Sequence, residues 1–576
     1  MTDPSHRARR WLTARKARAR WASVLAGAAA SGILFKICGA MESPFYWLSF
    51  VGLVPWLFGL ERARTWAQAI LAGAVMSAAF VTAVFPWFPE AAQRYSGSSL
   101  FFLWLVMIAA APLIEPQFVV FAVVRHVMRR DSGPLSAPLG AIAGACAYAG
   151  AELLLPKLFF DTLGMGLYPS LYLRQAADLA GVHGITVFVI LINECVFVAM
   201  KRGLPRPSHD KNAPLQHIKS GPFPALFGAA ALLGAMFLYG FLRLAAVEAR
   251  SRAPGIFVGI VQANITNYDR MRAEMGAFET VRKVLDTHYA LSDEILKREK
   301  ADVIVWPETV YPTTFGAAKS EAGEAFDKEI MHFGTSRGIP LVFGAYDTDG
   351  EREYNAAFFL SAQKGPQNDY PSYRKRMLFP LTEWVPPILD SEGFREWLPW
   401  TGRWQRGPGP KVISLELADE RRASVIPLIC YDVLFSEFVA DSAAMGADLI
   451  ITMSNDSWFP DERAPRLHLV SAAFRSIETR LPQVRATNSG VSAVISPSGT
   501  ILRETRWAKR ETISAKVPGI DRMVPPAVAL RGWIMPAFLG AALTLVGRAL
   551  VRARTAPEKP PQRRRRKATK AGTTTK

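Results

Sequence analysis

"SVIPLICYDVLFSE", Ser424 to Glu437, is an apolar, β-branched run that stops at Cys430 and is followed at once by Tyr431 and Asp432. The run predicts a buried strand. The cysteine at its mouth has two readings: a small apolar packing residue, since free cysteine is among the most buried residue types, or a nucleophile. Working outward, the region from 250 to 520 repeats this pattern in "GIFVGIVQ" (255–262), "DVIVWPE" (302–308), "PLVFGA" (340–345), "NAAFFLS" (355–361), "DLIITMSND" (448–456) and "SAVISP" (492–497). Between the first two lies an amphipathic helix with Phe278, Val281, Leu285, Tyr289 and Leu296 on one stripe. Strands that end in Pro-Glu, Cys-Tyr-Asp and Asn-Asp present polar side chains at one sheet edge. Open α/β sheets commonly place their active sites there.

Outside this region the chain has a different character. Half of its 576 residues are hydrophobic and 20% are charged. Seven apolar stretches precede residue 250: 21–40, 45–60, 66–88, 100–124, 135–155, 183–200 and 223–244. An eighth covers 527–546. Most approach the ~20 residues that span a bilayer. The formal net charge of +19 is concentrated in the two ends and in "ERART" (61–65), "RHVMRR" (125–130) and the 201–219 loop. This is the distribution of cytoplasmic flanks of membrane helices, not of a nucleic-acid surface. The expected organisation is a basic cytoplasmic N-terminus (1–20), a seven-helix membrane region (21–250), an extracytoplasmic soluble domain (251–520), a last membrane helix (521–548) and a basic cytoplasmic tail (549–576). Charge parity requires all eight segments to cross. No cleavable signal peptide or internal repeat is evident.

Three of the four cysteines, Cys38, Cys146 and Cys195, fall in apolar stretches, which leaves Cys430 without a disulfide partner in the soluble domain. An unpaired thiol on an oxidising face is worth flagging. Two further candidates accompany it. Glu308 follows a buried strand and is either a surface cap or, buried beside Trp306, a base of raised pKa. "YRKRMLFPLTEWVP" (373–386) carries Lys375, which charge alone does not separate from Arg374 or Arg376. His468 reads as a packed or solvated histidine, with no second ligand at metal spacing. Glu115 and Glu194 fall in apolar stretches with no evident charged partner, which suggests structural or cavity-facing roles.

The order Glu308, Lys375, Cys430 resembles the nitrilase superfamily, and "VQANI" (261–265), "VIVWPET", "YRKRMLFPLTEWVP", "ICYD", "SNDSWF" (454–459) and "FRSIETRLPQVRATNSGVSAVISPSG" (474–499) resemble its membrane-bound branch, the apolipoprotein N-acyltransferase family. "ELLLP" (152–156) and "LRQAADLAGVHGITVFVILIN" (173–193) extend the likeness into the apolar half. The resemblance implies a bundle of about eight transmembrane helices joined to an α/β, nitrilase-like α-β-β-α sandwich. It implies Cys430 as nucleophile, Glu308 as general base and Lys375 as cationic stabiliser, with Glu383 and Tyr431 in support and Asp432 where the family usually has a glutamate. It further implies an integral protein of the bacterial inner membrane, a phospholipid acyl donor and a diacylated apolipoprotein acceptor. Neither cofactor nor metal is called for. Trp397, Trp400 and Trp404 in "FREWLPWTGRW" (394–404) suggest a lipid-facing lid, or a loop packed by its own aromatics. Departures from the family pattern fall at Asp432, Thr382, "FPLT", "VQANITNYDRMR" and "LFFDTLG" (158–164). A membrane-anchored amidase, an acyltransferase with another amine acceptor, and a transporter with an inert domain are the competing readings.

Overall fold

The computed structural model describes residues 4–131, 133, 135–203, 221–251, 253–362 and 370–555. Most of the basic 201–219 loop and of the tail lies outside them. The apolar stretches fold as helices, because a chain in hydrocarbon must satisfy its backbone polar groups internally. Six are long and apolar enough to cross a membrane: 18–38, Trp66–Val84, Ser136–Leu154, 173–203, Phe223–Arg250 and Arg531–Thr555. The helices Leu100–Ile114 and Gln117–Met128 make a bent pair, at 51°. The bend falls at Pro116, which has no N–H to continue the ladder.

Among the described residues, six of the eight expected spans therefore reach that length and apolarity as single helices, and the bent pair makes a seventh. Phe45–Leu60 is too short to qualify: it is a 3-10 turn (Phe45–Phe50) followed by a short helix (Val54–Leu60), separated around Gly52 and restarted at Pro55. It still runs back along the first helix. Ser49 sits beside Gly166, and Gly59 lies against the backbone of Ser23 and Val24.

The membrane glutamates also have partners that the sequence reading missed. Lys157 Nζ lies 3.2 Å from Glu115 and 3.6 Å from Glu152, and Arg125 pairs with Glu194. The Lys157–Glu115 and Arg125–Glu194 pairs join residues far apart in sequence, so linear spacing does not reveal them.

The second half is a sandwich of two sheets. In the first, the order is Glu511–Val517, Ile256–Gln262, Val303–Val305, Leu341–Thr348, Glu353–Leu360 and Ser372–Arg374, with Tyr311–Thr314 beside Leu341–Thr348. In the second it is Ile501–Glu504, Ala493–Ile495, Gln483–Thr487, Leu449–Ser454, Arg422–Ile429 and Ile413–Glu416. Val258, Ile260, Val305 and Phe359 meet Val425, Leu428 and Val484 in the core between them. The helices Tyr268–Arg298 and Glu321–Arg337 cover the first sheet, and Ser436–Ala444 and Arg463–Thr479 the second. This is the α-β-β-α arrangement expected. Of the expected helical stripe, Val281 and Leu285 are buried but Phe278 is half-exposed, because Gly276 (φ 85°) breaks the helix just before it.

Candidate active site

Val303–Val305 runs parallel to both of its central neighbours, and Arg422–Ile429 and Leu449–Ser454 run parallel to each other, so within each sheet these strands end toward one edge. Glu308 follows the first, Cys430 the second and Asn455 the third. A close backbone approach fixes Glu308: a Cβ on Gly344 would lie 2.7 Å from Glu308 Cα and 2.5 Å from Thr309 N, so only glycine lets the neighbouring strand pass. Thr309, Leu381, Cys430 and Asp456 all have positive φ, which is uncommon in non-glycine residues and clusters at functional sites.

Three donors converge on the buried Glu308 carboxylate. Asn355 Nδ2 donates to Oε1 at 2.7 Å, Lys375 Nζ to the same oxygen at 3.3 Å, and the Asn455 main-chain N–H to Oε2 at 3.0 Å. Trp306, expected to supply an apolar wall, instead packs with Tyr289, Phe333 and Phe343 beneath the covering helices. Lys375 is 2% exposed and donates at 2.7 Å to Glu383, whose other oxygen accepts from Phe379 N. Burial alone would depress the Lys375 pKa, but Glu308 and then Glu383 hold its ammonium well above the ordinary lysine value.

Cys430 is half-buried at the start of a 3-10 turn, with φ 48°. Burial first, and then the Glu308 carboxylate, push its thiol pKa up, against the pull of Lys375. The resting sulfur is therefore a thiol, and a base must take its proton when an electrophile arrives. Asp432 has a structural place. It accepts from Ile429 N (3.0 Å), Met377 N (2.7 Å) and Tyr373 Oη (2.8 Å), which ties the cysteine elbow to the strand carrying Lys375. Its burial raises its pKa to about 6. Tyr431 Oη donates to the Leu158 carbonyl at 2.7 Å, and its ring meets Phe160, Phe379 and Phe435. The divergent 158–164 loop of the membrane half thus touches the elbow.

All six residues singled out in the sequence lie in this one region. The sequence reading missed Asn355, Asn455 and His468. Asn355 lay inside a strand it had identified, with nothing local to mark it. His468, read as packed or solvated, is buried, and its Nε2 also lies 3.2 Å from the Cys430 carbonyl, a contact the sequence does not mark. In the tryptophan-rich loop the two readings divide, for Trp404 packs on Tyr346 while Trp397 is 68% exposed.

Residues 257–520 match the model of the carbon-nitrogen hydrolase family, and residues 13–195 match that of the apolipoprotein N-acyltransferase N-terminal domain. An apolipoprotein N-acyltransferase of Bdellovibrio bacteriovorus is 28% identical over 86% of this chain and 88% of its own. One of Azotobacter vinelandii is 29% identical over 74% and 75%. Among solved structures, an amidase from Nesterenkonia sp. is 19% identical over 49% of this chain and 97% of its own, with a TM-score of 0.33.

Proposed function

Because the chain belongs to the apolipoprotein N-acyltransferase family, we propose that it moves an acyl chain from a membrane phospholipid, through a thioester on Cys430, to the α-amine of a lipoprotein's N-terminal diacylglyceryl-cysteine. The observation that carries the reading is the buried Glu308–Lys375–Glu383 chain of charges beside a thiol kept protonated at rest. In the first half-reaction the thiol proton passes to Glu308 as sulfur attacks the ester carbonyl. The oxyanion that forms is balanced by the Lys375 ammonium and by main-chain N–H groups beside Cys430. One such donor is typically worth ~100–1,000-fold in rate. Collapse breaks the C–O bond, the proton on Glu308 goes to the departing lysophospholipid oxygen, and the thioester remains. In the second half the free amine attacks the thioester and gives up a proton to Glu308. The C–S bond then breaks and the sulfur regains that proton as the amide leaves.

Charge and geometry together support an extracytoplasmic catalytic domain in the bacterial inner membrane. Arg125, Arg129 and Lys201 all pair with Glu61, which gathers the basic loops at one end of the bundle. Trp87, Leu158 and Asp178 meet the catalytic domain at the other. Basic loops mark the cytoplasmic side. The exposed Ile388, Leu389 and Trp397 support a lipid-facing role for the 381–404 loop. The test is to incubate the purified full chain with labelled phospholipid. A hydroxylamine-sensitive adduct should form on Cys430, vanish in Cys430→Ser and discharge onto a diacylated lipopeptide. Absence of any adduct sinks the proposal, and discharge to water alone makes the protein a hydrolase.

A further inference from the structure

A second buried charge cluster reaches Cys430 through its main chain. His468, on the helix Arg463–Thr479, points Nε2 at the Cys430 carbonyl oxygen at 3.2 Å. A carbonyl only accepts, so this nitrogen carries the proton. The other ring nitrogen lies 3.2 Å from Asp456 Oδ1 and 3.1 Å from an Arg485 guanidinium nitrogen. Asp456 is buried with φ 56°, its second oxygen accepts from Arg485 at 2.8 Å, and the Ser454 hydroxyl closes on the first. Asp456, Arg485 and Ser454 are all within 1% of full burial. Such a set orders the ring, because each member is held by another.

Cys430 needs holding. Its left-handed φ of 48° is a conformation that non-glycine residues keep only when the surroundings impose it. Asp432 grips the elbow from Ile429 N, on one side of the cysteine. His468 grips the carbonyl on the other. That carbonyl belongs to the same peptide unit as the Tyr431 N–H, and a hydrogen bond accepted by a carbonyl strengthens the N–H of its own peptide as a donor. The Tyr431 N–H is one of the groups beside Cys430 that the proposed chemistry uses for the oxyanion.

We infer that His468, oriented by Asp456 and Arg485, is a positioning residue for acyl-enzyme formation, acting on Cys430 through its main-chain carbonyl and polarising the Tyr431 N–H. The role rests on the reading of Cys430 as the nucleophile.

Two variants of the full chain separate this role from simple packing. In His468→Gln the side-chain amide reaches the Cys430 carbonyl and replaces the lost donor. In His468→Asn it reaches only as far as Asp456 and Arg485. Single-turnover acyl transfer from labelled phosphatidylethanolamine should slow about 100-fold in His468→Asn, with KM unchanged, and stay within about tenfold of wild type in His468→Gln. Asp456→Asn, which keeps the donor but loosens the ring, should fall between them and covers the case in which His468→Asn does not fold. Equal rates in the Gln and Asn variants, whether both retained or both lost, overturn the inference, as does a loss expressed in KM. Alkylation of Cys430 by iodoacetamide, followed by mass spectrometry, needs no lipid. It should slow about tenfold in His468→Asn and not in His468→Gln. A wild-type protein that never forms the acyl adduct but shows this alkylation pattern would refute the phospholipid reading while leaving the positioning role intact.

Discussion

Asn355 donates from one amide to both site glutamates, at 2.7 Å to Glu308 and 3.4 Å to Glu383, while its own carbonyl accepts from Lys375 N. It therefore sets the spacing of the three charges. Asn355→Leu keeps the volume and removes the donor, so acyl-enzyme formation should fall about 100-fold, and alkylation of Cys430 by iodoacetamide, which draws on the same base, should slow with it. Asp432 makes a prediction about pH. Its folded pKa, raised by burial from 3.8 to about 6, means that folding favours its protonated form. That contribution, about 3 kcal/mol for such a shift, is complete below pH 4 and is lost as pH rises through about 6. An asparagine does not titrate, so the melting temperature of Asp432→Asn should gain on wild type as pH rises from about 4 to about 6, and the gap should then level off. A gap that stays constant with pH would show that Asp432 is not the group titrating.

At the scale of elements, two backbone approaches decide where the chemistry sits. Gly344 allows the strand Leu341–Thr348 to pass against Glu308, and Gly344→Ala should displace that carboxylate by steric contact with backbone that has no free end to swing aside. Activity should fall at least tenfold while the protein remains folded, as read by circular dichroism. The 157–162 loop is the second. Lys157 fastens it into the bundle through the Asp161 carbonyl (2.8 Å) and Glu115, while Phe160 stacks on Phe435 at 4.1 Å and the Leu158 carbonyl takes the Tyr431 hydroxyl. Phe160→Ala removes an aromatic contact worth ~0.5–1.5 kcal/mol beyond its area. It should lower kcat in proportion to Tyr431→Phe, and the double variant should be less than additive, because both act through one contact.

Across the whole molecule the two halves are locked by buried ion pairs. Arg480, at the end of the helix Arg463–Thr479, donates through two nitrogens to Asp178 (3.0 and 2.8 Å), and Glu478 accepts from Val182 N. Arg243 also pairs with Asp178 and the Tyr239 hydroxyl donates to it, so removing Arg480 leaves that carboxylate partly compensated and costs less than the ~3–5 kcal/mol of a fully orphaned buried ion. Arg480→Met should lower the apparent melting temperature and make the junction between the halves more open to limited proteolysis. The strand ends that gather at the candidate site were largely legible in the sequence. Glu308, Cys430 and Asp456 each end an apolar run, and such runs have few other ways to bury themselves than as central strands. The strands Glu511–Val517 and Gln483–Thr487 were not legible. One alternates weakly along its length, and the other hides polar Gln483, Arg485 and Thr487 in full burial. Their partners are strands that only the fold brings alongside. The break in Phe45–Leu60 was likewise overlooked because hydropathy counts apolar residues and does not register where Gly52 and Pro55 interrupt a helix. The sequence by itself determined that an apolar bundle carries an α/β domain with Glu308 and Cys430 at the ends of apolar runs, because hydrophobic periodicity is a local property, while the choice of Lys375 among its basic neighbours came from the family resemblance. Tertiary structure alone decided that Asp432 braces the Lys375 strand, that Lys157 neutralises the membrane glutamates and that His468 grips the cysteine. The Asp432–Tyr373, Lys157–Glu115 and His468–Cys430 contacts join residues about 40 to 60 positions apart, set by packing that no local pattern encodes.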